Sequence, residues 1–126
     1  MEKRILIIDD DFSLRKVITR ALSSSKISVK TVSTLSEAWV VIEKNIFDLI
    51  ICDVMLPDGD GLELVKKVKK KHPNQLFIII SAKNNILTAI KADQLEVFEY
   101  LPKPLDLNDL TISVNKCLKS EKILKQ

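Results

Sequence analysis

Four apolar runs in this chain end abruptly in polar groups, and helical periods fill the spaces between them. Ile5-Leu6-Ile7-Ile8 runs into Asp9-Asp10-Asp11, and Leu49-Ile50-Ile51-Cys52 runs into Asp53. Phe77-Ile78-Ile79-Ile80 ends in Ser81, and Phe98-Glu99-Tyr100-Leu101-Pro102 ends in Lys103. Short apolar runs bounded by turn formers read as buried strands. Ile27 to Val32 alternates apolar and polar residues, as a half-exposed strand does. Leu14, Val17, Ile18, Ala21 and Leu22 recur at i, i+3, i+4, i+7 and i+8, one face of a first helix. Thr34-Leu35-Ser36-Glu37 has the form of a capping box opening a second helix, with Leu35, Ala38, Trp39 and Ile42 inward. A third helix runs from Gly61 to about Lys71, where His72-Pro73-Asn74 stops it. A fourth, capped by Asn84 or Asn85, reaches about Gln94, and Val97 to Leu101 forms the last strand. Asp106 caps a final helix carrying Leu107, Leu110, Val114, Cys117 and Leu118.

Strict strand–helix alternation predicts an α/β fold, a flavodoxin-like doubly wound parallel sheet of five strands with five helices on its two faces. The first, third and fourth strands are continuously apolar and belong in the middle. The second carries Ser28, Lys30 and Thr31, and the fifth carries Glu99 and Pro102. Both suit edges, which gives the order 2-1-3-4-5. Ligands of such sheets bind beyond the carboxyl ends of the strands at the switch point, here between strands one and three. Asp9, Asp10 and Asp53 should converge there.

At 126 residues, with 46% hydrophobic and 29% charged positions, the chain suits one globular domain. No apolar run approaches the roughly 20 residues that span a bilayer, and the N-terminal run is too short for a signal peptide. Cys52 and Cys117 stand far apart and lack metal spacing, so both are read as reduced and packed in a cytoplasmic protein. The net charge is only +3. The basic stretch Lys66 to Lys71 shares its helix with an inward stripe of Leu62, Val65 and Val68, so it reads as a solvated face and not as a nucleic-acid surface.

Crowded carboxylates repel one another and in part protonate. A cation that prefers oxygen relieves this, and few protein ligands with several waters describes Mg²⁺ better than Ca²⁺. With no imidazole or thiolate in the cluster, zinc is disfavoured. Asp11 is read either as a member of the cluster or as the cap of the first helix. Asp53, alone at the end of the central strand, is the candidate nucleophile for phosphoryl transfer. Asp10 would share the ion directly and Asp9 through water, and the Met55 backbone carbonyl could fill a further place. Ser81 could donate to a phosphoryl oxygen and Lys103 could pair with another. His72 reads as a solvent-facing helix end and Trp39 as packing.

These residues give the whole chain a resemblance to the receiver domain of two-component response regulators. It rests on Ile-Ile-Asp9-Asp10-Asp11, on Asp53-Val-Met-Leu-Pro57 followed by Asp60-Gly61-Leu62, on Ser81-Ala82, and on Tyr100-Leu101-Pro102-Lys103-Pro104. The stretches after Asp53 and around Lys103 are most similar to the nitrogen-regulatory (NtrC-type) receivers of sigma-54-dependent activators. The resemblance implies a receiver over residues 1–119, with 120–126 extending the last helix or opening a linker. It implies a phosphoryl group taken from a sensor histidine kinase onto Asp53 with Mg²⁺. Ser81 and Tyr100 then respond to the phosphate, and the surface of the fourth helix, fifth strand and fifth helix controls an output, such as transcription. Homodimerisation on phosphorylation belongs to the same expectation, as does a cis Lys103–Pro104 bond. Met55 and Lys83 occupy positions that tune the lifetime of the acyl phosphate. Self-phosphorylation and self-dephosphorylation are implied, and turnover of a substrate is not. No direct nucleic-acid or membrane binding is implied, and neither an ATPase nor a helix-turn-helix output module lies within these residues. Glu96 departs from the pattern, since a glycine commonly precedes the last strand.

Other functions fit less well. A phosphatase of the haloacid-dehalogenase type would have an acid where Met55 stands. A nucleotide or flavin binder would need glycines after the first strand, and Gly59 and Gly61 are the only two present. The remaining alternative is a receiver-like protein-binding module that is never phosphorylated.

Overall fold

The computed structural model describes residues 2–82 and 86–124, the last five as backbone only. Five strands, β1 (Lys3–Ile8), β2 (Ile27–Val32), β3 (Leu49–Asp53), β4 (Phe77–Ser81) and β5 (Glu99–Pro102), form one parallel sheet in the order β2-β1-β3-β4-β5. Helices α1 (Phe12–Leu22), α2 (Leu35–Lys44), α3 (Gly61–Lys71), α4 (Ile86–Gln94) and α5 (Leu107–Leu124) connect or follow them.

The continuous apolar strands divide their side chains between two cores, as the period of two requires. Leu6, Ile8, Ile50, Cys52, Phe77 and Ile79 face α2, α3 and α4, where Ala38, Ile42, Leu62, Val65, Val68 and Ala92 meet them. Ile5, Ile7, Leu49, Ile51, Ile78 and Ile80 face α1 and α5, against Ile18, Leu22, Leu110, Val114 and Cys117. Each fully buried isoleucine contributes about 1.5–3 kcal/mol by removal from water, so the three central strands hold most of the fold together.

The register aligns the strand ends. Ile8 lies beside Cys52, Asp53 beside Ile80, and Ser81 beside Pro102. Pro102 is tolerated because β5 is an edge with one neighbour. Cys52 and Cys117 are both buried, and neither is in a disulfide. In α3 the lysines run along the outer face, and Lys69, Lys70 and Lys71 fall in the last turn, where cations suit the helix dipole.

Several expectations change. The last strand spans Glu99–Pro102, not Val97–Leu101. The Glu96 and Val97 amides turn back onto the Asp93 and Ala92 carbonyls to close α4, so neither is free for the ladder. The inner stripe of α1 is narrower than its period, because Val17 and Ala21 are exposed and only Ile18 and Leu22 are fully buried. Glu37 reaches past the Thr34 amide to the Ser33 amide and hydroxyl and to the Thr34 hydroxyl. A two-residue ladder, Met55–Leu56 with Gly59–Asp60, was not legible from the pattern. The proposed caps Asn84 and Asn85 lie outside the described residues, as does Lys83. The α5 backbone stays helical through Leu124.

Candidate functional site

The carboxyl ends of β1 and β3 meet at the point where the sheet reverses its winding, and the chain leaving β5 crosses beside them. Oxygens of Asp9, Asp10 and Asp53 all fall within 4.8 Å of one another. Asp9 and Asp53 are buried, while Asp10 is exposed. Lys103 Nζ lies 2.8 Å from Asp53 Oδ2 and 3.0 Å from Asp9 Oδ2. One ammonium thus bridges two buried carboxylates and offsets part of their mutual repulsion.

Local geometry fixes each acid. The Asp11 amide donates to Asp9 Oδ1 at 2.9 Å, and Arg15 Nη1 donates to the Asp9 carbonyl at 2.7 Å. The Met55 amide donates to Asp53 Oδ1 at 3.1 Å. Asp11 accepts from the Leu14 amide at 3.0 Å and caps α1, which resolves its two readings in favour of the cap. Burial raises the Asp53 carboxyl above its ordinary value, against the lowering effect of Lys103 and the Met55 amide. Burial also pulls Lys103 down, but its bonds to Asp53 and Asp9 outweigh this and hold the ammonium above its usual value.

Ser81 is buried at the end of β4, one residue beyond the partner of Asp53. Tyr100 lies half-buried on β5, paired with Ile79 and packed against the core on the α2–α4 face. The Lys103–Pro104 peptide is cis. Met55 is exposed beside Asp53.

The donor set suits a hard divalent cation. It offers oxygen alone, and the buried Asp9 Oδ2 is met by the Lys103 ammonium at 3.0 Å. Two residues that the strand-exit pattern does not single out also act here. Arg15 secures the Asp9 carbonyl, and Asp58 ties the turn after β3 to α2 by accepting from the Leu35 and Ser36 amides at 2.9 and 3.0 Å. Neither carries a sequence signal beyond a helix cation and a turn aspartate.

The description "response regulator receiver domain" matches residues 5–115. The chain belongs to the response regulator receiver domain family. This receiver domain is 42% identical over 116 residues to the DNA-binding transcriptional regulator NtrC of Azospirillum brasilense, covering 92% of this chain and 24% of that protein. It is 32% identical over 114 residues to NtrC of Escherichia coli K12, covering 90% of this chain and 24% of that one. The receiver thus spans about a quarter of the length of these curated relatives, at 24% of each. Among solved structures, the receiver domain of a putative LuxO repressor protein from Vibrio parahaemolyticus superposes with a TM-score of 0.93 at 26% identity, covering 99% of this chain and 96% of that one. A CheY-like receiver domain protein from Methanospirillum hungatei gives 0.91 at 27% identity, covering 97% and 98%. Receiver domains are phospho-accepting signalling switches, and this chain is NtrC-like. Among the described residues no helix is long and apolar enough to cross a membrane.

Proposed function

We propose that this receiver takes a phosphoryl group from the phosphohistidine of a sensor histidine kinase onto Asp53. An Asp53 carboxylate oxygen attacks phosphorus, the O–P bond forms, and the P–N bond breaks with its electron pair returning to the imidazole. Asp9, Asp10, Asp53 and the Met55 carbonyl would hold Mg²⁺. When bound, the ion neutralises charge on the acids and on the incoming phosphoryl oxygens. Lys103 moves from bridging Asp53 and Asp9 to pairing with a phosphoryl oxygen, and the Ser81 hydroxyl donates to another. The observation that carries this reading is the Lys103 ammonium within 3.0 Å of both Asp53 and Asp9, a preorganised cation where negative charge must arrive.

Added charge of roughly −1.5 to −2 on one side chain then biases two arrangements of the α4, β5 and α5 surface. Ile86, Leu87 and Ile90 of α4 and Ile112 of α5 are exposed there and offer apolar area to an output partner or to a second copy. Relatives named DNA-binding transcriptional regulator NtrC support transcriptional control through an output domain outside residues 1–119. Nitrogen-responsive signalling, a cytoplasmic location and dimerisation on phosphorylation complete the proposed reading. Met55 and Lys83 would tune the lifetime of the acyl phosphate. The chain is itself the phosphoryl acceptor and catalyses no turnover beyond its own phosphorylation and dephosphorylation.

Intact mass after incubation with acetyl phosphate tests the proposal. One phosphoryl group should add in the presence of Mg²⁺, and none should add without it or in Asp53→Asn. A folded protein that takes up no phosphoryl group would leave the non-phosphorylated binding module as the better account.

A further inference from the structure

The turn between β3 and α3 is pinned at both ends, and one pin lies far from the acids. At its base the Met55 amide bonds Asp53 Oδ1, and the Gly61 amide bonds the Val54 carbonyl at 2.8 Å. The ladder of Met55–Leu56 with Gly59–Asp60 makes the segment a small hairpin. At its tip the Asp58 carboxylate accepts from the Leu35 amide at 2.9 Å, the Ser36 amide at 3.0 Å and the Ser36 hydroxyl at 2.9 Å. Thr34 Oγ1 takes the next amide, that of Glu37, at 3.1 Å. The first-turn donors of α2 that cannot bond within the helix are therefore shared between its own cap and a residue of the hairpin. Beside them Gly59, at φ +149°, lets the tip close down until a Cβ there would lie 2.9 Å from Leu35 Cδ1.

We propose that Asp58 is a positioning residue for the Asp53 site, clamping the hairpin tip to α2 so that Met55 is held against the acceptor. This rests on reading Asp53 as the phosphoryl acceptor within a divalent-cation site. A carboxylate at a helix N-terminus is favoured both by the dipole and by charge-assisted bonds. The bonds from Leu35 and Ser36 hold the Asp58 carboxyl below its ordinary range, so it stays ionised and the clamp stays closed at neutral pH. The hairpin presents no deeply packed face of its own. Leu56 is its buried side chain, and Met55, Pro57, Asp58, Gly59 and Asp60 are exposed. Without the clamp the Met55 amide would hold the Asp53 carboxylate less tightly, and a ligand taken from the Met55 carbonyl would lose its fixed direction. Groups bonded directly to metal ligands change metal affinity by about 10–100-fold, and a clamp one step further out should act at the low end of that range.

The test compares the wild type with Asp58→Ala, Asp58→Asn and Thr34→Ala. Three quantities are read: Mn²⁺ affinity of the unphosphorylated protein by electron paramagnetic resonance, uptake from acetyl phosphate by intact mass, and exchange of the Met55 amide. Asp58→Ala should weaken Mn²⁺ binding about tenfold, slow uptake several-fold and speed Met55 exchange. Asp58→Asn keeps one accepting oxygen and should fall between. Thr34→Ala loosens α2 without freeing the hairpin, so it should lower the melting temperature and leave affinity and uptake near wild type. Unchanged Mn²⁺ affinity and Met55 exchange in Asp58→Ala would overturn the proposal, as would an equal effect from Thr34→Ala. A wild type that neither binds Mn²⁺ nor takes up phosphate would instead sink the acceptor reading. Met55 exchange alone would then decide the clamp.

Discussion

Gly61 has no side chain for a steric reason that reaches Asp53, the proposed acceptor. A Cβ at this position would sit 2.0 Å from the Asp53 carbonyl oxygen and 2.9 Å from Cys52 Sγ, at the buried end of β3. The oxygen is backbone, the thiol already bonds that same oxygen at 3.1 Å, and β3 is fixed by neighbours on both sides. Gly61→Ala must therefore push the start of α3 outward and strain the Gly61 amide's bond to the Val54 carbonyl, next to Asp53. We expect a loss of about 3 kcal/mol, the upper end of overpacking, read as a lower urea midpoint at unchanged m value. Phosphoryl uptake should fall with it. At this scale the sequence signals Asp9, Asp53, Ser81 and Lys103 because each follows an apolar run, and burying a charge or hydroxyl there needs a reason. Asp58 gives no such signal, since an aspartate between proline and glycine is an ordinary turn former. Arg15 is equally silent, because it bonds a backbone carbonyl and a backbone carbonyl has no sequence pattern.

Helix α4 ends in a motif that ordinarily uses glycine. The Val97 amide bonds the Ala92 carbonyl and the Glu96 amide bonds the Asp93 carbonyl, with Glu96 in the left-handed region at φ 57°. Lys69 Nζ donates to the Glu96 carbonyl at 2.8 Å and secures this turn from α3. A left-handed residue with a side chain costs about 1–2 kcal/mol, and glycine returns about 0.5–1 kcal/mol of that through its freer unfolded state. Glu96→Gly should therefore stabilise the protein by about 0.5–1 kcal/mol, a rise in melting temperature of roughly 2–4 °C. No rise on thermal scanning would mean that the strain is relieved elsewhere. The glutamate in a glycine position was visible in the sequence, but its effect on β5 was not. Apolar runs locate strands without showing which amides a preceding helix takes for its own closure. The same limit hid the exposed face of α1, where Val17 and Ala21 keep the helical period yet stay exposed. By contrast the sheet order followed directly from which strands tolerate polar residues and proline.

Across the whole molecule, the proposed acceptor site works against the stability that the two cores supply. Asp9 and Asp53 are buried like-charged neighbours served by one ammonium, and burial pushes the Asp53 carboxyl toward its neutral form. A carboxyl raised in this way makes the charged side chain destabilising at neutral pH, because folding there favours the form that the solution removes. Asp53→Asn keeps the shape and an accepting oxygen for Lys103 while removing that charge. In the presence of a chelator the variant should therefore melt above the wild type at pH 7. Saturating Mg²⁺ should reverse the order. A ligand that binds only the folded chain adds roughly 2.7 kcal/mol at a hundred times its Kd, and the variant has given up one carboxylate of the set. Differential scanning calorimetry of both proteins, with chelator and with Mg²⁺, checks the crossing. A wild type that is the more stable without metal would mean that Lys103 already compensates the acids in full. In that case the reserve of charge repulsion from which a divalent ion would draw its affinity is absent.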